Sequence, residues 1–406
     1  MNAQLVDRLR FLHKTLTVLY VFTLPIYSAI SIKILFVLIL VSIPLAWKRL
    51  IDKNLLKQYK YPLIFIAAIA IGLVYSTDWS GTLSFAAEKA GLSLAFLAIA
   101  IPVTERADLR RLLLTFAFGT ATAGIICLSK AIYRDYTEGA YWAYHHLDFT
   151  HILGMHPQYM AYYVNFSIII VVYYLVDHTR RTISSRNIAA LLLICFYVLM
   201  HIFLAARVPL VGLVVTLCGW AIIKNVRIIR YWKLFVVIGL LAAGTVYLFG
   251  SRTSILTRFN DLFVPQQQIA DTTLGGYLER FMLWHAAIDA NTNMIFGVGH
   301  GDAQSILTEY YRTHNFDATY IDENYNSHSQ YLQIYLGSGL VGVAALICMM
   351  LAPILRSVKE NDFIAFIFFS GFVLYFLTEV ILARYQGAAF YFCFYALLYP
   401  SLITRK

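Results

Sequence analysis

Charge is what this sequence has least of. Asp, Glu, Lys and Arg make up 13% of its 406 residues, about half of the ~25% usual in soluble domains. Hydrophobic residues make up 60%. Such a chain cannot cover its apolar surface with polar groups in water. A soluble globular enzyme, a secreted disulfide scaffold and a disordered protein are all excluded. Cysteine is scarce too. Cys127, Cys195, Cys218, Cys348 and Cys393 each lie alone within an apolar run, with no metal-ligand spacing and no disulfide framework. No HExxH, GxSxG, CxxC or Walker loop occurs. Internal repeats are absent.

What is present is a series of long apolar runs. A bilayer core of about 30 Å needs ~20 helical residues. On that measure the chain reads as an all-α polytopic membrane protein, 1–406 forming one integral membrane domain. About twelve spans are expected, near 15–31, 33–47, 60–76, 83–102, 112–132, 157–176, 188–206, 208–223, 233–249, 329–352, 362–380 and 386–403. The N-terminal run lacks a small-residue cleavage site and is read as a retained span. The net charge of +10 suggests nucleic acid until the charges are located. With the N-terminus inside, 22 lysines and arginines fall in inside segments and eight in outside ones, while Lys89 and Lys130 fall within spans. That is a positive-inside pattern with both termini cytoplasmic. No nucleic-acid partner is expected.

Two outside segments are too long for turns. One, near 133–156, holds His145, His146, His151 and His156 beside Asp148, at spacings that fit no zinc motif. The other, 250–328, is expected to be a large periplasmic loop with amphipathic helices. Leu278, Phe281, Met282 and Ile288 recur at helical spacing, so 276–290 reads as a helix on the membrane surface. Arg280 and Trp284 share one of its faces. Gly297, Gly299 and Gly301 follow a helix rather than a strand. They read as a turn that re-aims the chain, not as a dinucleotide loop.

Four places could carry chemistry at the outer face. His328 opens the tenth span, and a histidine at the water–lipid boundary can accept a proton near neutral pH. Gly339 and Gly342 further along that span allow close helix approach. Arg207 sits on a near-absent connection, in Ala205-Ala206-Arg207-Val208-Pro209. An ionised side chain there needs a partner, and guanidinium suits phosphate oxygens. Either an anionic headgroup or Glu379 would serve. Glu379 and Arg384, five apart at the last external turn, read most simply as a pair with each other. Glu88 and Lys89 are adjacent in the fourth span, and each is expected to need its own partner.

These elements together resemble the O-antigen ligase/polymerase family of bacterial envelope glycosyltransferases. The ligase signature is His, then Asn, Ser or Gln, nine residues, Gly, two residues, and Gly, Thr or Tyr. His328, Ser329, Gly339 and Gly342 match it. Ala206-Arg207 matches the family's small-residue-then-arginine element. Arg280 and Trp284 match its loop element of arginine, three residues and tryptophan. The resemblance implies a membrane-glycosyltransferase (GT-C-like) architecture in the bacterial inner membrane. It implies metal-independent, cofactor-free transfer of a glycan from undecaprenyl diphosphate. The acceptor would be lipid A–core for a ligase, or another carrier-linked glycan for an O-antigen or exopolysaccharide polymerase. His328 would be the general base. Arg207 and Arg280 would hold the diphosphate, with Glu379 and Arg384 also at the substrate. Of the two, the histidine signature favours the ligase. A small-anion transporter is the alternative outside the family, but it should carry mid-membrane charges and paired broken helices.

Overall fold

In the computed structural model the described residues are 3–50, 59–100, 106–144, 146–177, 185–224 and 276–403. The expected ninth span, 233–249, the start of the large loop, 250–275, and His145 lie outside them. The described residues are helical, with no strand among them. Five helices are long and apolar enough to cross a membrane, within Ser28–Trp47, Trp79–Ala100, Asp108–Glu138, Asn187–Leu204 and Gln330–Lys359. Shorter apolar helices lie within Lys60–Val74, Arg207–Ile223 and Phe363–Thr378.

By residue contacts the chain forms two compact units. The first comprises 1–46, 101–264 and 366–371. It contains α1 (Ala3–Thr23) and most of α2 (Ser28–Leu50). The first two expected spans are displaced, because the run 15–31 is cut by a turn around Pro25. Proline has no N–H and its ring clashes with the preceding turn, so the helix is interrupted there despite the apolar composition. Helices α1 and α5 (Arg106–Glu138; α3 and α4 belong to the second unit) pack together. A Cβ on Gly119 of α5 would fall 2.2 Å from the Phe22 carbonyl oxygen of α1, so only glycine permits this approach.

At 33 residues, α5 is about 50 Å long and overshoots a bilayer core of about 30 Å. Its apolar stretch begins near Leu112, so Lys130 and Arg134 come at the far boundary of a span that starts there. The short α6 (His146–Thr150) and α7 (Pro157–Asp177) follow, then α8 (Ser185–Leu204) and α9 (Arg207–Ile223). A buried polar knot ties the last three. Asn165 Nδ2 of α7 donates to the Pro209 carbonyl of α9, and Asn165 Oδ1 contacts His201 Nε2 of α8, both at 2.5 Å. In an apolar interior these amide and imidazole groups would be costly unpaired.

The second unit comprises 47–100, 265–365 and 372–406. It holds α3 (Lys60–Ala70, continued as a 3-10 turn to Val74) and α4 (Trp79–Ala100). It also holds α10 (Gly276–Asp289), α11 (Ala303–Thr313) and α12 (Ala318–Asp322). Last come α13 (Gln330–Lys359), α15 (Tyr385–Ile403) and, outside its middle, α14 (Phe363–Thr378). The helix expected over 276–290 is α10. A second apolar face of α10 packs into the unit. Leu283, Ala286, Ala287 and Ala290 pack with Ala303, Leu307, Tyr311 and Leu336. Phe281 and Ile288 remain exposed, which leaves them available to lipid.

Candidate active site

The segments between the long helices of the second unit are sewn together by backbone and short polar side chains. The central device is a break in α13 at Gly339, where φ is 60° and ψ is −159°, a region essentially restricted to glycine. In a continuous helix Leu340 and Val341 N–H would bond to the carbonyls of Leu336 and Gly337. Here the loop 294–299 takes all four groups. Leu340 N–H donates to Met294 O at 2.9 Å and Val341 N–H to Ile295 O at 3.1 Å. Val298 N–H donates to Leu336 O at 2.8 Å and Gly299 N–H to Gly337 O at 3.0 Å. Backbone groups near lipid have no water to fall back on, so a broken helix is tolerable only with such replacement partners. The signature glycine therefore does not serve close helix–helix approach, as its spacing suggested. It admits a loop backbone, and a Cβ there would fall 2.3 Å from both C and O of Ile295. On the loop side Gly297, with φ 75°, abuts the backbone of Gly337 and Ser338.

The next loop residues lock this arrangement to α4. His300 stacks on Phe85, with ring centroids 4.1 Å apart and planes 8° from parallel. Its Nε2 lies 2.9 Å from Ser338 Oγ, beside the break. Burial, reinforced by the positive charge of Lys89, pushes the imidazole down to about 3, so it is neutral and no proton acceptor at working pH. Lys89 Nζ sits 4.7 Å above the Phe85 ring and 2.8 Å from Glu88 Oε1. The two neighbours thus partner each other, contrary to the expectation from helix geometry, because the lysine stem is long enough to curl back.

Asp302 caps α11 and accepts four hydrogen bonds from the turn before α4. They come from Ser76 Oγ (2.9 Å), Thr77 N (2.7 Å), Thr77 Oγ1 (2.6 Å) and Asp78 N (2.9 Å). Burial opposes the charged form, but these donations outweigh it and hold the carboxyl below its ordinary range. Tyr75 O–H donates to Phe296 O in the same contact. Neither His300 nor Asp302 was singled out from sequence. The available signal was the string Gly297-Val298-Gly299-His300-Gly301-Asp302, in which polar side chains alternate with glycines between two helices.

His328 lies on the segment leading into α13. Its φ is 46°, an uncommon and strained conformation for a non-glycine residue. The surroundings enforce it. His328 N–H donates to Asn326 Oδ1 at 2.9 Å, and Ser327 Oγ bridges Ser329 O (2.9 Å) and Gln333 Oε1 (3.1 Å). The imidazole is half-buried, with the Tyr325 ring centroid 5.5 Å away. The following residues fix this segment to the turn between α14 and α15. Ser329 Oγ reaches Phe376 O at 3.4 Å, and Leu382 N–H donates to Gln330 Oε1 at 2.7 Å. Glu379 lies between those two anchor points.

Burial raises the Glu379 carboxyl, and Arg280 and then Arg384 counter the rise. Arg280 is thus its stronger electrostatic neighbour, ahead of the Arg384 that sequence proximity suggested. Glu279, beside Arg280, raises the phenols of Tyr320, to about 12, and of Tyr325, in both cases after burial itself. The second unit therefore gathers His328, Arg280, Glu379 and Arg384 with Tyr325 and Glu279 into one neighbourhood. Trp284, one turn from Arg280, meets Phe281 edge-on at 5.4 Å, and its buried indole N–H finds no acceptor among the described residues.

Arg207 belongs to the first unit. It is the half-buried first residue of α9. The connection from α8 is as short as expected, with Ala205 at φ 47° and Ala206 extended. The Asn165–His201–Pro209 knot fixes the corner that presents it. Of the first-loop histidines, His146 is buried and its ring centroid lies 5.8 Å from that of His156. Among the described residues no three His, Cys, Asp or Glu side chains come together as a metal-ligand group.

Comparison with known families meets this geometry in the same stretch. Residues 188–347 match the family model described as O-antigen ligase. This match, over 160 of the 406 residues, supports the resemblance to the O-antigen ligase/polymerase family. The matched segment contains Arg207, Arg280, His328, Gly339 and Gly342, while Glu379 and Arg384 lie beyond it. No curated protein matches the chain. The match agrees with the several long apolar helices of a multi-pass membrane protein.

Proposed function

We propose that the chain is an O-antigen ligase. It transfers a glycan from undecaprenyl diphosphate to lipid A–core at the periplasmic face of the bacterial inner membrane. The observation that carries this reading is the clamping of the strained His328 segment onto the turn that holds Glu379, with Arg280 beside it. A base and cationic groups at one place are what glycosyl transfer from a diphosphate requires.

In the proposed step His328 accepts the proton of an acceptor sugar hydroxyl. The oxygen attacks the anomeric carbon of the donor sugar, and the bond from that carbon to the diphosphate oxygen breaks. Undecaprenyl diphosphate leaves, carrying the electron pair. Arg280 and Arg207 hold its charge, which grows as the bond breaks, so that their attraction is greatest in the transition state. A planar guanidinium fits two phosphate oxygens at once. Glu379 orients Arg280, and Arg384 assists from the same turn. The mechanism needs no metal, since the arginines supply the positive charge.

The architecture that goes with this function has about twelve spans in a GT-C-like arrangement and both termini in the cytoplasm. The charge asymmetry of the connecting segments supports that orientation. So does the contact of turn 75–78 with loop 296–302, two segments expected on the outer face. The reading is tested by deleting the gene and resolving lipopolysaccharide on a gel. A ligase deletion leaves long chains on the carrier and none on lipid A. Single-repeat caps on lipid A would instead identify a polymerase.

A further inference from the structure

The first unit has a cleft of about 210 Å³ at the outer end of α5, lined by none of the residues used in the transfer mechanism. Lys130 and Arg134, one turn apart on α5, line one side, and Asp148 and His151 line the other. Phe149 and Ile152 contribute apolar wall. Just outside, Ile132, Tyr133 and Leu147 are each more than half exposed, in a chain whose exposed apolar side chains face lipid. The rim carries two cations and one carboxylate, and the flank is apolar. Tyr133 and the fully projecting Tyr136 have the amphipathic character of side chains at headgroup level.

We propose that this cleft binds the headgroup of an anionic phospholipid. The phosphate is held by Lys130 and Arg134, the acyl chains run along Ile132 and Leu147, and Asp148 accepts a hydrogen bond from a headgroup hydroxyl. Two cations on consecutive turns of one helix match a phosphodiester in size and charge. One carboxylate opposite them would repel a bare anion. It favours a headgroup in which a donor stands beside the phosphate, as in phosphatidylglycerol. The observations also assign separate roles to the ion pairs nearby. Arg134 Nε meets Glu138 Oε2 at 3.1 Å on the exposed side of α5. That pair steers the guanidinium but competes with a phosphate for it, and an exposed pair of this kind is weak.

The test uses the purified full-length protein in neutral detergent and native mass spectrometry. Phosphatidylglycerol is titrated against phosphatidylcholine, which has the phosphate but no hydroxyl donor, and against inorganic phosphate. The expected result is a bound phosphatidylglycerol that phosphatidylcholine does not displace. Its affinity should fall by about tenfold or more in Lys130→Gln/Arg134→Gln, as expected when charge-assisted contacts are lost. Glu138→Gln, which frees the arginine without removing it, should bind at least as tightly as the parent. Asp148→Asn should narrow the preference over phosphatidylcholine. Equal retention of both lipids by the parent protein, or unchanged affinity in the double glutamine variant, would overturn the proposal. Occupation by inorganic phosphate in preference to lipid would also overturn it. Because the readout is binding, it does not depend on whether the protein ligates or polymerises glycan.

Discussion

Replacing Gly339 by alanine probes the loop–helix junction on which the site is built. The residue sits at φ 60°, ψ −159°, and a side chain in that region costs on the order of 1–3 kcal/mol. The added Cβ would also lie 2.3 Å from two backbone atoms of Ile295. Backbone cannot rotate away as a side-chain tip can, so the loop 294–299 must move. Four hydrogen bonds join that loop to α13, each worth about 0.5–1.5 kcal/mol net. Losing half of them adds roughly 1–3 kcal/mol. A total destabilisation of about 2–6 kcal/mol follows for the second unit. Gly91→Ala is the control, since nothing lies within 4 Å of its Cβ. Alanine there should be neutral or stabilising by up to about 1 kcal/mol through helix propensity. Thermal unfolding of both variants in one detergent, with limited proteolysis of the loop, makes the comparison. A Gly339→Ala protein as stable and as protease-resistant as the Gly91→Ala protein would refute the reasoning, because the break would then not need glycine.

Other outcomes follow from single side chains. Asp302→Asn loses a charged acceptor for four donors and should cost about 2–4 kcal/mol at neutral pH. Because the native carboxyl is held below its usual range, that stabilisation is complete above about pH 4 and is lost as pH falls through the folded value. Melting curves of the two proteins should therefore converge on acidification, and a gap that widens instead would contradict the assignment. Arg280→Gln removes the larger of the two positive charges that counter the burial of Glu379. Protonation of Glu379, followed by its infrared carboxyl band, should shift to higher pH, and a shift to lower pH would argue that Arg280 does not face it. Arg207→Lys and Arg280→Lys keep the charge but lose the planar fork, so glycan transfer should drop sharply in each. Full activity in both would remove the bidentate diphosphate role.

Most helices were legible in the sequence because their apolar runs end at charges or turns, as at Arg106, Arg207 and Tyr385. The first two were not, since Pro25 turns the chain inside a stretch that composition alone reads as continuous. Helix α10 was legible as an element with an apolar face for lipid, but the partners of its opposite face were not. Apolar residues occupy most of its circumference, from Phe281 to Ile288, and only its contacts with α11 and Leu336 single out Leu283 and the alanines. The candidate residues were legible for separate reasons: His328 as a titratable group at the start of a span, Arg280 through its spacing to Trp284, and Glu379 and Arg384 as charges flanking one short turn. What holds them was not. The break at Gly339 depends on a loop some forty residues upstream, and His300 and Asp302 matter through partners at 85 and 76–78 that no local spacing encodes. Lys89 and Glu88 were misjudged because helix directions describe Cβ atoms, not the reach of a long side chain.

The central claim is that His328 deprotonates the acceptor hydroxyl. It is tested most directly by following transfer of carrier-linked glycan to lipid A–core with purified protein, with and without EDTA. His328→Ala should lower the rate by about 10²–10⁴-fold while His151→Ala, on the first loop, leaves it near the parent value, and EDTA should change neither. The parent melting temperature retained in His328→Ala would place the loss in chemistry rather than folding. A near-parent rate in His328→Ala, or a reaction stopped by EDTA, would contradict the account.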